Sequence, residues 1–193
     1  AGTNLLTVDL GTLASGLRRH PWIREASVYR RFPGQLIVEI EERAPRAILA
    51  TEKLYYVDEQ GAIFTRLLPG DSVEYPLFTG PTAAQLEKSG PEVQEMVRLG
   101  LGLLDLLDRK GSVLNPNTIA DIRIDLDDGL SLHLRSGKVL IVGKADFELK
   151  MQRYGRLKRY LIQSGQWNNA GIINLDFEDR ALVRSTDKPG LQG

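Results

Sequence analysis

Cysteine is absent from this chain of 193 residues, which excludes disulfide frameworks, thiolate catalysis and cysteine-type zinc sites. Histidine is nearly absent: His20 and His133 are the two in the chain and fall in different predicted units. Neither has a second histidine at ligand spacing or a neighbouring carboxylate, so neither is expected to act in catalysis or metal binding. An excess of one charge is missing too, since 25 Lys and Arg balance 25 Asp and Glu. Nucleic-acid binders carry a basic excess on at least one domain, so that class is set aside. No apolar run approaches the roughly 18 residues of a membrane helix, and no signal peptide opens the chain. The expectation is a soluble protein or the soluble part of a longer one.

Catalytic signatures are also lacking. No G-x-x-x-x-G-K, G-x-S-x-G or H-E-x-x-H occurs. Gly100-Leu101-Gly102 follows no strand and lacks the third glycine of a dinucleotide fingerprint, so it is read as helix packing. Asp125-Leu126-Asp127-Asp128-Gly129 has its glycine one place too early for a calcium loop and is read as a turn. No enzyme activity, metal or cofactor is expected.

What remains is 42% apolar and 26% charged, the balance of a folded soluble chain. Leu10, Leu13, Ala14 and Leu17 repeat at helical spacing over 9–19, with Asp9 as the expected N-cap and His20-Pro21 as the stop. Alternation around Ala26–Arg30 and Leu36–Ile40, with Phe32-Pro33-Gly34 between, predicts a β-hairpin with one buried face. This unit of about forty residues looks incomplete, because a two-stranded sheet is marginal in water. From Pro45 the pattern turns mostly to strands: 48–50, 55–57, 62–64 and 77–78. A helix is predicted from Pro91 to Arg109, with Val93, Met96, Val97, Leu103, Leu104 and Leu107 inward.

A meander follows at 122–126, 130–134 and 139–142, with Asp128-Gly129 as a two-residue turn. A second helix is predicted over Lys144–Ile162, buried through Phe147, Met151, Tyr154, Leu157 and Leu161. Ile172–Phe177 and Ala181–Arg184 are the last predicted strands, and the polar tail 186–193 is expected to be flexible. The fold class is therefore α+β.

Two features remain for function. Lys144, Lys150, Arg153, Arg156, Lys158 and Arg159 make the second helix basic, either as a solvated face or as a docking face for an acidic segment. A last strand at a sheet edge would invite an added strand, with Glu178-Asp179-Arg180 either blunting it or selecting a partner by charge.

His20-Pro21-Trp22-Ile23-Arg24-Glu25-Ala26-Ser27-Val28-Tyr29-Arg30-Arg31-Phe32-Pro33, then Leu36, Val38, Ile40 and Glu42-Arg43-Ala44-Pro45-Arg46-Ala47, resembles the bacterial FtsQ/DivIB cell-division family. Gly2-Thr3-Asn4-Leu5-Leu6, Val57-Asp58-Glu59-Gln60-Gly61 and Tyr75-Pro76-Leu77-Phe78-Thr79-Gly80 match that family in the same order. The resemblance implies a partial POTRA domain at 1–44 and a β-domain at 45–185, in a chain truncated at its N-terminal side. It also implies a non-enzymatic scaffold of the divisome. Such a scaffold sits in the inner membrane at the septum through one helix absent from this chain, with this region in the periplasm. There it recruits FtsB and FtsL by strand addition to the β-domain edge. Carried over by position, Phe177 would anchor that contact, with Glu178, Leu182 and Val183 beside it, and Lys150 and Arg153 near an acidic partner residue. Asp176 departs from the arginine some members have there, so a partner carboxylate would meet repulsion. A POTRA-containing component of an outer-membrane assembly or secretion system is the alternative. Tandem repeats and a many-stranded barrel would mark that class, and neither is visible.

Overall fold

The computed structural model describes residues 9–71 and 74–185. The first helix, α1 (Leu10–Arg18), starts where predicted, because the Asp9 carboxylate accepts hydrogen bonds from the backbone N–H groups of Gly11 and Thr12. β1 (Ile23–Arg31) and β2 (Gln35–Glu42) form the antiparallel hairpin. Its expected buried face is only partly covered: Ala26 is buried, but Val38 and Ile40 stand 44% and 49% exposed. Among the described residues one short helix, α1, packs on this hairpin, too little to shield two strands of this length. Gly2–Leu6 and the tail 186–193 lie outside the described residues.

Nine further strands build one sheet. In chain order they are β3 (Pro45–Ala50), β4 (Leu54–Asp58), β5 (Ile63–Arg66), β6 (Leu77–Thr79), β7 (Ile119–Asp125), β8 (Gly129–Leu134), β9 (Val139–Gly143), β10 (Ala170–Asn174) and β11 (Leu182–Ser185). Across the sheet the order is β11-β10-β9-β8-β7-β6-β3-β4-β5. Helices α2 (Ala83–Lys88) and α3 (Gly90–Leu107) carry the chain from β6 to β7, and α4 (Phe147–Gln163) carries it from β9 to β10. A crossover helix brings the next strand back in the same direction, so both of those pairs are parallel, as is β3 with β6. The other pairs are antiparallel.

Alternate strand residues (Ile122, Ile124, Leu130, Leu132, Leu140, Val142, Ile173) face α3 and α4 and join them in one core. Gly100 sits on α3 where it does because a Cβ there would come within 2.2 Å of the Phe78 ring. Gly102 meets no such neighbour, so the packing role read for both glycines belongs to Gly100.

The hairpin unit is tied to the far end of this sheet. Trp22 packs edge-on against Phe64 (5.3 Å between ring centres) and tilted against Tyr56 (5.5 Å). Arg43, just after β2, donates to the buried Asp58 carboxylate, which also accepts from the backbone N–H groups of Gln60 (3.0 Å) and Ala62 (2.8 Å).

The last strand, β11, is the edge of the sheet, and the α4 crossover inserts β10 between β9 and β11. Two expectations need correction. β10 ends at Asn174 rather than Phe177. The β7–β8 turn is a three-residue loop, with Asp125 opposite Gly129 and the Asp125 carboxylate accepting from the backbone of Asp127 and Asp128. Those bonds hold the Asp125 carboxyl below the ordinary aspartate range.

Candidate functional site

The chain leaves β10 in a defined way. Leu175 N–H donates to Ile141 C=O at 2.8 Å, prolonging the parallel ladder, and the Asn174 side chain accepts from Asp176 N–H at 2.8 Å and turns the backbone. The Asp176 carboxylate then lies over Gly143. A Cβ on that glycine, whose φ is +68°, would fall 2.1 Å from Asp176 Oδ1. Only glycine suits this close approach at positive φ.

Two basic residues of α4 hold this connection. Lys150 Nζ donates to Asp176 Oδ1 at 2.7 Å and to Val142 C=O at 2.9 Å, and the side chain is buried. Arg153 spreads its guanidinium over four carbonyls: Leu175 (3.4 Å), Arg180 (3.2 Å), Phe177 and Glu178. Both charges are therefore engaged inside the molecule rather than free on a docking face. Lys144 is engaged likewise, donating to Leu126 C=O at 2.7 Å. The Asp176 carboxylate, from which repulsion was expected, is thus paired with Lys150 within the chain.

Phe177 follows, half-buried in a bend, with the Arg180 guanidinium 5.2 Å from its ring centre. Phe177, Glu178 and Asp176 form one wall of a crevice of about 250 Å³, and Asp146 at the N-cap of α4 with Leu149, Lys150 and Arg153 of the helix form the other. Leu149 is 51% exposed and offers the crevice an apolar lip.

Beside the crevice runs β11, where Leu182 is 44% exposed and Val183, half-buried, pairs with the buried Ile173. Among the described residues β11 pairs with β10 alone and forms one margin of the sheet, the kind of position at which a further strand can add. The structure thus brings Lys150, Arg153, Phe177, Glu178, Leu182 and Val183 into one neighbourhood, with Lys150 buried beneath it.

Sequence reading missed Asp146, Leu149 and the Lys150–Asp176 pair. The signal was present: positions 146, 149, 150 and 153 share one flank of a helix at i, i+3, i+4 and i+7. It also missed that His133 Nδ1 lies 3.3 Å from Asp121 Oδ1 across β7 and β8. Strand partners far apart in sequence cannot be paired without the register. Among the described residues no group of three or more His, Asp or Glu side chains could hold a metal, and no helix is long and apolar enough to cross a membrane. Beneath the crevice helix, Tyr154 is fully buried, its hydroxyl has no hydrogen-bond partner among the described residues, and burial pushes its pKa up to about 12.

Comparison with known proteins adds the following. Residues 1–43 match the POTRA domain of FtsQ type, and residues 47–176 match the C-terminal region of cell division protein FtsQ/DivIB. The cell division protein FtsQ of Geobacter sp. (strain M21) is 33% identical over 184 residues, covering 95% of this chain and 66% of the relative. FtsQ of Anaeromyxobacter sp. (strain K) is 34% identical over 179 residues, 93% of this chain and 60% of the relative. FtsQ of Myxococcus fulvus is 34% identical over 182 residues, 93% and 62% respectively. This chain therefore spans 60% to 66% of the length of those three relatives. With more than half of its residues matched by the C-terminal family model alone, the chain belongs to the FtsQ/DivIB family of cell-division proteins.

Proposed function

We propose that the protein is a non-enzymatic scaffold of the divisome that binds an FtsB–FtsL type complex by strand addition to β11. The observation that carries this reading is the position of β11: an edge strand beside the crevice that Phe177, Glu178 and Leu149 border. Backbone pairing supplies affinity without sequence preference, and the flanking crevice supplies the choice of partner. An apolar or aromatic partner side chain would enter between Phe177 and Leu149 and lie against Leu182 and Val183. Arg153 and Lys150 act in this reading by holding the 175–181 connection in shape, with Glu178 at the rim setting charge preference.

On this reading, residues 1–44 act as a partial POTRA unit and 45–185 as the β-domain that takes the partner. The full-length protein would reach the septum as a single-pass inner-membrane protein, anchored by a helix outside this chain, with these domains in the periplasm.

The test is calorimetry of the chain against a purified FtsB–FtsL complex, with hydrogen exchange of the β11 amides. Phe177→Ala and Phe177→Lys should weaken binding by about tenfold or more while the fold survives. The amides of Leu182–Ser185 should gain protection in the complex. Unchanged affinity in a folded Phe177→Lys variant, with β11 exchanging as freely as before, overturns the proposal.

A further inference from the structure

The basic residues of α4 divide between its two flanks. Lys150 and Arg153 face the β10–β11 connection and are engaged there. Arg156, Lys158 and Arg159 line a separate groove of about 600 Å³ between α4 and the loop that follows α3. Val113, Gly155 and Ile162 supply its apolar surface, and no carboxylate lines it. Val113 and Ile162 are 37% and 53% exposed.

The groove is built into the fold. Leu114, buried next to Val113, anchors the loop, and Ser112 bridges it by donating from Oγ to Leu114 C=O at 3.0 Å. Gly155 lets that loop lie against the helix, since a Cβ there would come within 2.7 Å of Val113 Cγ1. Among the described residues Arg156, Lys158 and Arg159 form no ion pair; Lys158 lies instead over the rings of Tyr154 (5.9 Å) and Trp167 (5.6 Å). In a chain with as many acidic as basic residues, three cations lining one groove without a carboxylate are a local imbalance awaiting an external counter-charge.

We infer that this groove is a second docking site, taking an acidic protein segment whose aliphatic side chains cover Val113 and Ile162 while its carboxylates meet Arg156 and Arg159. The aliphatic floor distinguishes this occupant from nucleic acid, which would want base-stacking or backbone-tracking groups, and from lipid headgroups, which need cations alone. The site is independent of the β11 edge, because it occupies the other flank of α4 and shares no lining residue with the Phe177 crevice.

The probe is a labelled synthetic peptide of glutamates with leucines at i, i+3, i+4 and i+7, followed by fluorescence anisotropy on the whole chain. Its comparison probes are a Glu/Ser peptide without leucine and vesicles containing phosphatidylglycerol. The Glu/Leu peptide should bind, and affinity should fall as salt rises toward ~0.3 M. Arg156→Glu with Arg159→Glu, both at exposed positions, should lower affinity about tenfold or more, and Ile162→Ser should lower it at least severalfold. Phe177→Ala should leave it unchanged. Circular dichroism confirms that each variant is folded, and Arg156→Gln with Arg159→Gln repeats the test without charge reversal. The inference is overturned if the arginine variants bind as wild type does, if the Glu/Ser peptide binds as tightly as the Glu/Leu peptide, or if vesicles bind and the peptide does not. Loss of peptide binding in Phe177→Ala overturns it as well, by moving the peptide to the other crevice.

Discussion

Replacing Lys150 with methionine isolates the charge at the root of the β10–β11 connection. Methionine keeps most of the side-chain volume against the sheet, so the lost terms are the two hydrogen bonds to Asp176 Oδ1 and Val142 C=O. Bonds to a charged group contribute about 1.5–3 kcal/mol. The Asp176 side chain is 44% exposed, so water recovers much of what its carboxylate loses. The expected destabilisation is about 2 kcal/mol. Asp176→Ala costs more, about 3 kcal/mol, because it strands an ammonium with 9% side-chain exposure. With methionine already at 150 no buried charge remains, and the same Asp176→Ala change should cost less than about 1 kcal/mol. Urea unfolding of the four proteins closes this cycle, and a coupling of about 2 kcal/mol is expected. Single effects that add to within about 0.5 kcal/mol would show that the 2.7 Å contact contributes nothing, and the account of the connection would fail. A binding corollary rests on the proposed partner site. Lys150→Met should weaken the FtsB–FtsL complex by uncovering the Asp176 charge, and adding Asp176→Asn should restore it.

Tyr154→Phe should leave stability unchanged or raise it by about 1 kcal/mol, since the hydroxyl is buried without a partner among the described residues. The same variant tests a pH effect. The folded-state pKa is raised to about 12 from an ordinary value of 10.0, so between those values the unfolded chain releases a proton that the native state retains. Stability therefore falls as pH rises above about 10 in the wild type, by up to ~2–3 kcal/mol, and falls less in Tyr154→Phe; parallel curves in alkaline unfolding would refute this. Gly100→Val should destabilise by about 1–3 kcal/mol or more through its clash with Phe78, read as a lowered urea midpoint. Arg43→Met should cost about 3 kcal/mol by leaving the buried Asp58 carboxylate with backbone donors alone, and should alter the near-ultraviolet signal of Trp22 beside it. Asp146→Gly should be neutral or stabilising by up to ~1 kcal/mol, because Asp146 holds a φ of +56°.

Local physics made much of this fold legible. Asp9, His20-Pro21 and the α1 spacing mark a helix whose ends depend on neighbours in sequence, and the structure agrees. The α3 stripe is equally local, and Val93, Met96, Val97, Leu103, Leu104 and Leu107 are all buried. Sheet order is not local. α4 returns β10 parallel beside β9, and that placement is what leaves the edge to β11. Charge was misleading for a similar reason. Lys150 stands three residues after Phe147 and four before Tyr154, which places it within the apolar stripe. Its type drew the reading outward, whereas its position sends it under Asp176. The spacing 146, 149, 150 and 153 would have located one crevice wall, but the opposite wall depends on where the crossover ends.

The order of strands also sets a distance. The hairpin unit leans on β4 and β5 through Trp22, while β11 closes the opposite margin of the sheet. With strands spaced about 4.8 Å apart, eight intervals separate β5 from β11 by about 38 Å, less a little for twist. The sheet thus has a set length: the hairpin end and the far margin are kept a domain's width apart, and lengthening or shortening that gap would require adding or removing whole strands.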